Sequence, residues 1–195
     1  MLELLIRRHG KRLTGLEMVG ESADVWIPKI MALCPTRLEL PMLESFSLDI
    51  VDDPQLGPGC VQWIASIVSA LQQAPSMVTS SLSTQLTIAT ASDSPPQEWR
   101  PLNDLRLEYI PLKSRDWEVV IKAIDYSSLR NLRIHGREFS VDHFKLLVDC
   151  IPVSANPVAA LYITIYIRPR DEKDLESQMT RLHSKVPNVV IHSLE

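Results

Sequence analysis

Six times along the chain an apolar residue is followed three and five places later by two more. The matches are Leu13, Leu16 and Met18; Leu43, Phe46 and Leu48; Leu102, Leu105 and Leu107; Leu129, Leu132 and Ile134; Val158, Leu161 and Ile163; and Val186, Val189 and Ile191. The first positions stand 30, 59, 27, 29 and 28 residues apart, so one interval is about twice the others. A pattern that returns at a fixed period marks stacked units, and it constrains the fold before any single element is assigned. The second half of each match alternates apolar and polar residues, the period-two sign of a short strand with one buried face.

A segment with helical spacing follows most of these strands. In 114–124, Trp117, Val120, Ile121 and Ile124 share one face, with Ser114 as the expected N-cap. In 140–151, Phe144, Leu147, Val148 and Ile151 do the same behind Ser140. Segments 24–34 and 60–71 are the earlier equivalents. The last, 171–182, carries acids in its first turn, where the helix dipole favours them. A unit of one strand and one helix cannot bury its own apolar side. Stacking such units buries a continuous core, so the reading is an α/β protein of solenoid form. Parallel strands are expected on a concave face and helices on a convex one, in a single domain over 1–195.

The stretch LNDLRLEYIPL (102–112) resembles the leucine-rich-repeat consensus L-x-x-L-x-L-x-x-N-x-L, with Ile110 where that family often has asparagine or cysteine. LRNLRIHGREF (129–139) writes the pattern again. The period and the full helix are similar to the ribonuclease-inhibitor-like subclass, and 99–151 looks like large fungal leucine-rich-repeat families, some of them F-box-linked. The resemblance implies work by surface recognition, as in the substrate-recognition part of a ubiquitin-ligase assembly, and it brings no catalytic motif. Val51, Ile110, Arg137 and Tyr166 occupy the asparagine place, so a regular asparagine ladder is not expected. Neither end reads as a polar cap, and the chain is expected to belong to a longer array or to be an incomplete product.

Composition narrows the partners. A net charge of −4 and a pI near 5.7 provide no basic field to attract nucleic acid or anionic lipid. No window approaches the roughly 18 apolar residues of a membrane span, and the start lacks a secretory signal pattern. Cys34, Cys60 and Cys150 show no metal-ligand spacing and read as reduced thiols on apolar helix faces, which points to the cytoplasm or nucleus. Between the second helical segment and Trp99 lies 76–98, rich in Ser, Thr, Ala and Pro. It reads as a surface insertion that accounts for the doubled interval, contributing at most one irregular strand from 83–89, and Ser94-Pro95 would suit phosphorylation.

The polar places between the strand leucines should point out of the open face, with neighbouring units roughly 5 Å apart. This alignment brings Arg106 beside Arg133 and Glu108 beside His135, with Tyr162 next in line. Asp49, Arg106, Glu108, Arg133, His135, Tyr162 and Thr164 are therefore the candidate partner-binding residues, arginine and tyrosine being enriched where interfaces concentrate their energy. The competing reading is a solvated sheet face whose charges pair across strands for under about 1 kcal/mol each. His135 and His192 lack an acidic cluster to complete a metal or catalytic site. The carboxylates of 51–54 and 170–174 fit helix capping better than acid–base chemistry, and Gly136 is read as a turn residue. The expectation is a protein-binding module without cofactor, metal or small-molecule substrate, the alternative being an enzyme on an α/β frame.

Overall fold

In the computed structural model, residues 8–20, 40, 42–50, 58–72, 100–153, 158, 160–166 and 172–194 are described. After a 3-10 turn at Gly10–Arg12 the elements are β1 (Gly15–Gly20), β2 (Ser45–Ile50), α1 (Pro58–Gln72), β3 (Asp104–Glu108) and α2 (Ser114–Ala123). They continue with β4 (Asn131–Ser140), α3 (Val141–Cys150), β5 (Ala160–Tyr166), α4 (Glu172–His183) and β6 (Asn188–Leu194). The strands form one sheet in chain order, β1-β2-β3-β4-β5-β6. Every pairing is parallel.

The register reproduces the sequence repeat residue for residue. Leu16, Phe46, Leu105, Leu132, Leu161 and Val189 form one row across the sheet; Met18, Leu48, Leu107, Ile134, Ile163 and Ile191 form the next. In β2 to β5 these residues are at most 1% exposed. Helices α1, α2, α3 and α4 pack each on the next and cover this apolar face. Trp117, Val120 and Ile121 from α2, and Phe144, Leu147 and Val148 from α3, close the core. Burying one such side chain contributes about 1.5–3 kcal/mol, so these rows outweigh any surface ion pair in setting the register.

The doubled interval separates two strands that are direct neighbours. Ser45 of β2 pairs with Asp104 of β3, and the stretch 83–89 lies outside the described residues. The segments 24–34 and 76–98, with Trp26, Cys34, Ser94 and Trp99, lie outside the described residues, as do Val51 and the 51–54 carboxylates.

Two local expectations are corrected. Ser114 is the first helical residue of α2 rather than its N-cap; Lys113 holds that place without a side-chain bond. The Ser114 amide donates instead to Glu138 Oε2 at 2.8 Å, so a carboxylate from β4 caps the helix and meets its dipole. Gly136 lies inside β4 rather than in a turn. A Cβ there would come 2.2 Å from Cζ2 of Trp117, so the missing side chain makes room for the indole ring. Phe139 meets Trp117 edge-on at 5.2 Å. Ser140 caps α3 as expected, in a capping box completed by His143.

Candidate functional site

Alternation along a strand sends every second side chain to the face the helices leave open. Glu17, Ser47, Arg106, Arg133, Tyr162 and Val190 make one row of that face. Val19 and Asp49 begin the second row with Glu108; His135, Thr164 and His192 complete it. All seven candidate residues, Asp49, Arg106, Glu108, Arg133, His135, Tyr162 and Thr164, thus share this face, and each is at least partly exposed.

Arg106 and Arg133 stand directly opposite one another, an arrangement of like charges that costs stability unless each is neutralised. Each has its own carboxylate. Arg106 donates through Nε and Nη2 to the two oxygens of Asp104, at 3.2 Å and 3.0 Å. That fork fixes the orientation of the guanidinium and, together with the charge it supplies, raises the Arg106 pKa. Arg133 Nη1 donates to Glu108 Oε1 at 3.2 Å, a diagonal bond between neighbouring strands. Its guanidinium carbon also sits 5.1 Å from the centre of the Tyr162 ring, within cation–π range.

The second row is tuned by burial. Asp49 has its carboxyl pKa raised, first by burial and then by the nearby charges of Glu108 and Glu17, with His135 acting in opposition. Its Oδ1 is shielded from solvent and accepts no hydrogen bond among the described residues. His135 has its pKa lowered by burial, against the pull of Glu108 and Asp49, and His192 pushes the same way as burial. The Tyr109 ring leans over His135 with centres 4.2 Å apart. Tyr109 holds a positive φ of 54°, a conformation that costs a non-glycine residue about 1–2 kcal/mol and turns the chain sharply at the end of β3. Beside the first row a shallow hollow of about 320 Å³ is lined by Gly15, Leu16, Glu17, Ser45, Ser47 and Arg106.

Asp104 and Tyr109 belong to the site but were not among the candidates. Asp104 was within reach of the alternation rule, lying two places before Arg106 on the same face. Tyr109 was not, because a left-handed tyrosine leaves no compositional mark. Among the described residues no group of three His, Cys, Asp or Glu side chains could hold a metal ion. No described helix is long and apolar enough to cross a membrane. No family model, curated protein or solved structure matches the chain.

Proposed function

We propose that this chain is a recognition module of the leucine-rich-repeat type, similar to the ribonuclease-inhibitor-like subclass, that grips another protein with its open sheet face. One observation carries the reading: a continuous six-strand face whose two rows are rich in charged and aromatic side chains, while the described helices pack on the apolar side. A sheet whose sole task was burial would not need Arg133 held between a carboxylate and a ring. Curvature follows from spacing. Packed helices need about 8–10 Å between axes and strands need only about 4.8 Å, so units built of both favour bending with the strands inside.

An affinity pull-down from matched cell extract tests this, comparing wild type with the double reversal Arg106→Glu plus Arg133→Glu. Circular dichroism establishes that both proteins fold. Wild type should enrich a protein that the double variant loses. Enrichment of the same set by both, or of nothing by either, removes the open face as the working surface.

A further inference from the structure

The open face is not uniform in charge. Across its described strand positions, Glu17, Asp49, Asp104 and Glu108 all lie on β1, β2 and β3. Arg106 is taken up by Asp104, and Arg133 by Glu108. Two carboxylates make no ion pair of their own among the described residues, Glu17 and Asp49, on the two strands at one end of the sheet; Arg106, near Glu17, is already forked onto Asp104. Asp49 keeps one shielded oxygen without a donor, and its raised pKa reflects burial beside like charge. The other end carries no carboxylate at the open-face strand positions of β4 to β6. There Tyr162 and Val190 are neighbours in register, exposed at 37% and 39%, and the Arg133 guanidinium lies over the tyrosine ring.

Resting on the recognition role proposed above, we infer that the occupant of this face is an extended protein segment lying across the strands. A lysine or arginine of that segment sits at Glu17 and Asp49, and a bulky apolar side chain sits on Tyr162 and Val190. The spacing between those two anchors follows from geometry. The midpoint of β1 and β2 is four strand spacings from the midpoint of β5 and β6, about 19 Å at ~4.8 Å each. An extended segment rises about 3.3 Å per residue, so the two anchors lie about six residues apart. Charge complementarity fixes the direction: the cationic end meets β1 and β2, where an acidic end would meet two carboxylates that no ion pair neutralises. Aromatic–apolar contact at the far end supplies the non-polar anchor that interfaces concentrate near buried rings.

Selection from a random twelve-residue peptide library displayed on phage, against the full chain, tests this without presupposing a sequence. Selected peptides should be enriched in lysine or arginine about six residues from an aromatic or branched apolar residue. The same selection on Glu17→Gln plus Asp49→Asn should lose the cationic preference and keep the apolar one; Tyr162→Ala should do the reverse. For one selected peptide, fluorescence anisotropy should show at least a tenfold weakening when its lysine is changed to glutamate. Acidic peptides, peptides with no common spacing, or no enrichment at all overturn the inference. If peptides lacking the cationic preference are still lost on Arg106→Glu plus Arg133→Glu, the face remains a binding surface and only the assigned occupant falls.

Discussion

At the scale of single residues, three positions concentrate the physical tension of this molecule: Gly136, Asp49 and His135. Gly136 lies under Trp117, which is wholly buried. Gly136→Ala is expected to destabilise the fold by about 1–3 kcal/mol, the usual cost of forcing extra atoms into a packed core. Trp117→Phe should lessen that penalty, since the six-membered indole edge is what the new methyl meets. Urea melts of both single variants and the pair check this, and strict additivity would sink it. Asp49 and His135 set opposite pH responses. The folded state holds the Asp49 proton more tightly than the unfolded chain, so stability is lost as pH rises from 3.8 through the raised folded value. Asp49→Asn should therefore stabilise at pH 7, by under about 1 kcal/mol given solvent screening, and change nothing well below pH 3.8. His135 is the reverse case. Its folded pKa lies below 6.5, so the unfolded chain takes up the proton first and stability falls as pH drops through that value. His135→Gln should flatten that limb of a thermal-melt series between pH 7 and pH 4, and an unchanged limb would remove the assignment. Neither tension is visible in sequence. Alternation placed both side chains on the open face, whereas how deeply each sinks among its neighbours depends on side-chain contacts across strands.

At the scale of elements, successive helices are joined by polar clamps as well as apolar packing. Gln72, at the end of α1, donates to the Asp125 carbonyl at 2.8 Å and accepts from the Asp125 amide at 2.7 Å, just past α2. His143 of α3 accepts from the Ser140 amide at Nδ1 and donates from Nε2 to the Ser114 carbonyl at 2.6 Å, which fixes its tautomer. Lys185 Nζ donates to the carbonyls of Val148 and Ile151, closing the end of α3 where a cation suits the dipole. Arg181 of α4 reaches Asp149 of α3 at 2.6 Å. Buried donors and acceptors left without partners cost about 1–3 kcal/mol. Gln72→Met should cost about that much in equilibrium unfolding although the new side chain is apolar and similar in length. A variant as stable as wild type would show that the clamp is incidental. The strands were legible because their period repeats in register; all six emerge where the apolar triplets stand. The α2 cap was misread because local rules reward a nearby serine, while the true partner, Glu138, comes from a different strand. Long-range polar partners of this kind leave no periodic trace.

At the scale of the whole molecule, burial is graded along the sheet. The rows reach at most 1% exposure in β2 to β5, whereas Val189 and Ile191 in β6 are only partly covered. Amide hydrogen exchange should accordingly be slowest in β3, β4 and β5 and distinctly faster in β6. Uniform protection across the sheet would contradict the grading. The α/β class and the strand order could be read from the repeat alone, because a pattern that returns every 27 to 30 residues admits few other packings. The charge polarity of the open face could not. It depends on Asp104 and Glu108 cancelling the two arginines, a pairing that sequence spacing suggests no more than several others.

The sheet follows chain order, so among the described strands β1 and β6 are linked through the four that stand between them. Substitutions farther apart than about 10 Å with no shared partner usually add, and the two end strands stand roughly 24 Å apart at ~4.8 Å per spacing. In stability, the ancestry of such a molecule is then nearly free of epistasis between its ends. For folding, a change at Glu17 and a change at Val190 should each carry its own cost, so a recombinant that joins one lineage's first strands to another's last would inherit two stabilities that simply sum.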